Sequence, residues 1–142
     1  MNSTGPQPKN QPGSEGGGWL KRLFGGAPKG RSMLDEVEEK GSKLIVQGYR
    51  GIASKHGCAP TSKTSDAQIV EIYKKVGSAF RQTAAERQEH LAADSLNYIV
   101  LKFFQVYENF GTDMFDQHLS YEIQKYRSEG LRADYNQTVQ LF

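Results

Sequence analysis

Histidine, cysteine and carboxylate side chains are the groups here that could ligate a metal or drive nucleophilic chemistry, and their spacing decides which of these they could do. His90 follows Glu86 at i−4 and Glu89 at i−1, while His118 has Asp116 at i−2 and Glu122 at i+4. Di-metal centres in helical bundles draw Glu-x-x-His pairs from facing helices, a spacing neither histidine has. The His118–Glu122 spacing makes a polar pair on one helix face, expected at the surface. His56 and Cys58 stand two residues apart, short of the four ligands a structural zinc takes. A cysteine nucleophile activated by His56 needs a geometry that such spacing does not supply. Gly16–Gly18 has no strand before it to make a phosphate cradle, and no Gly-x-Ser-x-Gly elbow occurs. The chain is therefore expected to have no catalytic centre, no cofactor and no metal.

Chemistry of contact is better represented. Gly18–Gly25 encloses Trp19, Leu20, Lys21, Arg22, Leu23 and Phe24. Wound as a helix, Trp19, Leu20, Leu23 and Phe24 share one side and the two cations face away. Such a segment suits the groove of a protein partner, ordering on contact. It would also suit the interface of an anionic membrane, and the alternative is that it folds back onto its own bundle. A second patch combines Tyr121 with Lys125, Arg127 and Arg132, residue types enriched in binding hot spots. A third feature is basic: Lys74, Lys75, Arg81 and Arg87 could stripe one helical face toward single-stranded nucleic acid.

These groups need a scaffold, and 142 residues allow one ordinary domain plus a tail. Four of the five prolines and eight of the fifteen glycines fall in residues 1–32. That composition cannot bury enough apolar area to offset ordering entropy and predicts a disordered arm. The arm carries Lys9, Lys21, Arg22, Lys29 and Arg31 against Glu15, or 5 − 1 = +4, so the remaining 110 residues carry 2 − 4 = −2 of the net charge of +2. The acidic body argues against nucleic-acid binding across the whole fold. No apolar run reaches the roughly 18 to 20 residues of a spanning helix, and the first residues lack the apolar core of a secretory signal. A single cysteine excludes an internal disulfide and points to a reducing compartment, the cytoplasm.

Residues 33–142 read as four helices. Ser32 can cap a first helix over about Met33–His56, with Leu34, Val37, Leu44, Ile45, Tyr49 and Ile52 inward, ending at Gly57. Ser65 and Gln68 form a capping box for a second, about Asp66–Gln82. Thr83 with Glu86 suggests a break and a restart into a third, about Ala84–Asn109, although one continuous bent helix is the alternative. The third is apolar almost all round, which marks the most buried element, with Ile99 and Phe103 at its centre. Gly111 separates it from a fourth, which presents Phe115, Leu119, Ile123 and Tyr126 and stops at Gly130. Short connections make a small antiparallel bundle the expected all-α architecture.

The last six residues, Gln137–Phe142, resemble the peptide by which replication proteins engage a sliding clamp. The alternative places Leu141 and Phe142 against the bundle. Together these features lead to the expectation of a non-enzymatic adaptor or accessory subunit, tethered to a protein partner through residues 19–24. A helical subunit that contacts nucleic acid through its basic face is the alternative, and an enzyme of unspecified type is the third.

Overall fold

A computed structural model describes residues 33–142, and in that span the chain is all-helical: α1 is Met33–His56, α2 Asp66–Glu86 and α3 Ala93–Glu129, followed by a 3-10 turn at Ala133–Tyr135. The expected disordered arm, its motif and the Ser32 cap lie outside the described residues. The chain divides into two units after Gly41. Of the first, only the opening turns of α1 are described; there Met33, Leu34 and Val37 are exposed, and Leu44, just past the division, is exposed too. The sequence pattern placed Leu34, Val37 and Leu44 inward, and that expectation is corrected: among residues 33–44 the apolar periodicity marks an uncovered face.

Within Ser42–Phe142, three helices replace the expected four. The capping box of Ser65 and Gln68 opens α2 with both reciprocal bonds formed. The expected restart at Thr83 does not occur. Thr83 is buried and its hydroxyl donates to the Ala79 carbonyl inside a helix that runs on to Glu86. That bond removes the side chain from capping, and the buried positions Phe80, Thr83 and Ala84 carry the apolar face through the site. The chain turns only afterwards, where Gln88 adopts φ 56°, and α3 begins at Ala93 rather than Ala84.

The expected third and fourth helices are the two arms of α3. Gly111, at φ 85° and ψ −176°, breaks its helical path, in a region of conformational space that essentially only glycine occupies. Phe103 and His118 are 118 − 103 = 15 residues apart, about 22 Å along a straight helix, yet their rings lie 5.1 Å apart. The arms therefore fold back on each other, with Phe103 and Tyr107 both edge-on to Phe115. α2 packs against both arms. Its Gln68 bonds Tyr107 and its Gly77 lies beside Leu96 on the first arm, while Lys75 pairs with Asp116 and Glu86 with Arg127 on the second. The core between them contains Ile69, Val76, Phe80, Ile99, Val100 and Phe103, none with measurable exposure. Tyr49 of α1 joins it edge-on to Phe104, its hydroxyl donating to Asn97.

The C-terminal segment packs on this body. Val139 donates to the Asp94 carbonyl and accepts from the Asn97 side chain. Leu141 lies over Gly48, where a Cβ would meet its side chain at 3.0 Å. Gly48 is thus a close-packing glycine, whereas Gly41 and Gly51 face open space. Phe142 is exposed, although its ring tip also reaches Gly48.

Glu108 fixes the α1–α2 loop to α3. Its carboxylate accepts from the Thr61 backbone N–H, the Thr61 hydroxyl and the Thr64 hydroxyl. Arg50 grips the same loop by donating to the Thr61 and Thr64 carbonyls and to Asp66. Burial raises the Glu108 pKa, but the bonds from Thr64 and Thr61 outweigh it and hold the group below the usual carboxylate value. A depressed folded-state pKa contributes stability that is present above the unfolded value, about 4.3, and lost as pH falls through the folded one. Glu108→Gln should therefore cost about 1 kcal/mol at pH 7, with half-exposure discounting the usual worth of such bonds. The gap from the parent should close between pH 5 and 3, as followed by urea unfolding. Parallel acid limbs for the two proteins would refute this role.

Candidate functional site

The C-terminal arm of α3 brings together most of the chemistry expected there, divided between two faces. On one, Tyr121, Lys125 and Arg127 line a shallow groove of about 400 Å³ with Gln124 and Ser128. Tyr121 is 55 % exposed, and the Lys125 ammonium sits 5.8 Å above its ring while pairing with Glu129 one turn on. That pairing holds the Lys125 pKa above its ordinary value. Arg127 reaches back to Glu86 at 2.8 Å. The groove is thus an aromatic floor edged by cations whose charge is already balanced, which suits a flat, mixed polar and apolar contact more than a strongly acidic one.

Arg132 does not belong to that patch. It lines a separate depression with His118, Asp134 and Tyr135. One nitrogen donates to Glu122 at 2.6 Å, two others donate to Asp134, and the guanidinium stacks 5.1 Å from the Tyr135 ring. The bonds to Asp134 and then Glu122 push its pKa up. Glu122, expected on the surface beside His118, is 2 % exposed. His118 Nε2 lies 3.9 Å from the carboxylate oxygen that Arg132 holds, and the other oxygen has no hydrogen-bond partner among the described residues. Burial also pushes the Tyr135 hydroxyl, beside Glu122, well above the usual phenol range. Sequence reasoning missed this cluster. Glu122 follows Leu119 by three residues and precedes Tyr126 by four, so its phase on the helix was the available signal.

The basic face is largely spoken for. Lys75 pairs with Asp116 at 2.8 Å and lies over the Phe115 ring; Arg87 pairs with Glu89, caps the Arg127 carbonyl and lies over Tyr126. Arg81 is directed to the Tyr73 hydroxyl at 3.5 Å, and Lys74 is exposed on the same helix. Lys75 and, just past the end of α2, Arg87 thus bond to α3, whereas Arg81 bonds within α2 itself. His56 and Cys58 edge a third depression, of about 350 Å³, with Ile52, Tyr98, Leu101 and Val139. Burial pushes the Cys58 thiol up, away from the thiolate that a nucleophile needs. No group of three or more metal-ligating side chains occurs among the described residues, nor does any helix there have the length and apolarity to cross a membrane.

Compared with protein-family models, with curated proteins and with solved structures, the chain matches none of them.

Proposed function

We propose that the protein is a non-enzymatic adaptor or accessory subunit, in which a small antiparallel helical bundle displays a tethering segment, residues 19–24, to a protein partner. The observation that carries this reading is a sequence cluster of large apolar residues followed closely by an exposed apolar helical face. Trp19, Leu20, Leu23 and Phe24 stand in a glycine- and proline-rich sequence, and Met33, Leu34 and Val37 follow on an exposed helical face. Apolar groups in such positions work against solubility unless they serve a contact. The Tyr121 groove offers a second, more polar point of attachment on the bundle. Burying each anchor contributes about 1.5 to 3 kcal/mol, and ordering the segment costs about 1 to 2 kcal/mol per residue. The tether is consequently weak, and gains strength from local concentration or repeated copies.

The test compares the full chain with Trp19→Ala/Leu23→Ala/Phe24→Ala as immobilised baits in cell extract, with captured proteins quantified at low and high salt. The substitutions should abolish capture of a specific partner and leave the melting temperature of the bundle unchanged. A salt-resistant remainder of binding in the parent chain separates apolar anchoring from phosphate contacts, which weaken steeply with salt. Equal capture by both baits would refute the tether.

A further inference from the structure

The depression edged by His56 and Cys58 differs from the other grooves in how its charge is balanced. Its walls come from the end of α1, the first arm of α3 and the C-terminal segment, with Ile52, Leu101 and Val139 as apolar surface beside Tyr98. The Val139 wall is held at the backbone, its N–H donating to the Asp94 carbonyl and its carbonyl accepting from the Asn97 amide. Lys102 and Gln105 line this depression and also the one at Arg132, so they mark the edge the two share. The Lys102 ammonium lies 5.5 Å over the Tyr98 ring and forms no ion pair among the described residues. No carboxylate lines the depression there. By contrast, Lys125 in the Tyr121 groove is paired with Glu129, and Arg132 with Glu122 and Asp134. We propose that this depression binds a small amphipathic organic anion, with its carboxylate or sulfonate against Lys102 and an aromatic or short acyl body among Ile52, Leu101 and Val139.

Size, surface and charge select this occupant. A volume of about 350 Å³ falls at the small end of ligand pockets, roughly 300 to 1,000 Å³, and suits one or two rings rather than a helix. Its walls are mainly apolar with a few polar groups at the edge, the composition that fixes a small molecule's orientation. The contact with Tyr98 uses one side of the Lys102 ammonium and leaves hydrogens for an acceptor. Gln105, three residues on, adds an amide donor on the same helical face. His56 contributes a second cation only when protonated, so a singly charged ligand matches the site better than a dianion. The site is separate from residues 19–24 and stands whether or not they tether a partner.

Two fluorescent probes share one frame and differ in charge: anilinonaphthalene sulfonate and the uncharged N-phenylnaphthylamine. Titrated into the full chain, both should bind. Lys102→Met should weaken the sulfonate about five-fold or more and the neutral probe less than about two-fold, and raised salt should act on the parent in the same direction. Lys102 is exposed, so circular dichroism should show an unchanged fold. Val139→Asp, which keeps the backbone bonds of that wall, should weaken both probes. Cys58 is the only cysteine and lines the same depression, so saturating sulfonate should slow its alkylation by iodoacetamide about two-fold or more, as followed by mass spectrometry. Equal effects of Lys102→Met on the two probes, including none, would overturn the site. So would binding that survives Val139→Asp or that leaves Cys58 alkylation unchanged.

Discussion

Phe103→Ala should destabilise the bundle by about 3 to 5 kcal/mol, a large share of a typical domain's roughly 5 to 15. Phe103 has no exposure and its ring meets Phe80 from α2 at 6.1 Å, Phe115 at 5.5 Å and His118 at 5.1 Å. It therefore joins both arms of α3 to α2 through one side chain. Truncation loses the transfer energy of the ring and leaves a cavity that three elements must close together, which they do only in part. Phe103→Leu, which keeps most of the volume, should cost well under half as much. Urea unfolding followed by circular dichroism measures both variants, and equal costs for Ala and Leu would mean that the ring does not fill the junction.

The second large effect lies at Glu122. Removing Arg132 strands a carboxylate that is 1 % exposed. Breaking a buried pair from one side costs about 3 to 5 kcal/mol, and the 42 % exposure of the Arg132 side chain reduces the expectation for Arg132→Ala to about 2 to 3 kcal/mol. Glu122→Gln added to Arg132→Ala should recover more than half of that loss, because a neutral amide does not need the cation. The double-mutant cycle thus separates a pairing requirement from simple packing. Strictly additive costs would rule out the coupling. His118 at 3.9 Å is too long a contact to replace Arg132.

Local signals explain which elements were legible. The bounds of α1, the capping box of Ser65 and Gln68, the left-handed Gly57 and the break at Gly111 all depend on backbone preferences within a few residues, and each stands where the sequence places it. The apolar density of residues 96–104 likewise marks the most buried helix whatever packs on it, and Ile99 and Phe103 are fully buried. Thr83 shows the limit of such signals. Its hydroxyl can cap a new helix or bond back to Ala79, and only burial against α3 selects the second.

For the candidate sites the division is sharper. Composition and spacing by themselves determined that residues 33–142 are helical, that the only tryptophan lies in an apolar segment outside the bundle sequence, and that no histidine has a di-metal spacing. Tertiary structure decided the rest. The 3.6-residue period identifies an apolar face but not whether anything covers it, so Tyr49 is buried while Leu34, Val37 and Leu44 on the same helix are exposed. Arg132, ten residues beyond Glu122, could join either the Tyr121 patch or the buried carboxylate. The turn after Gly130 brings its guanidinium to Glu122, where desolvation makes an opposite charge worth more than any surface pairing would be.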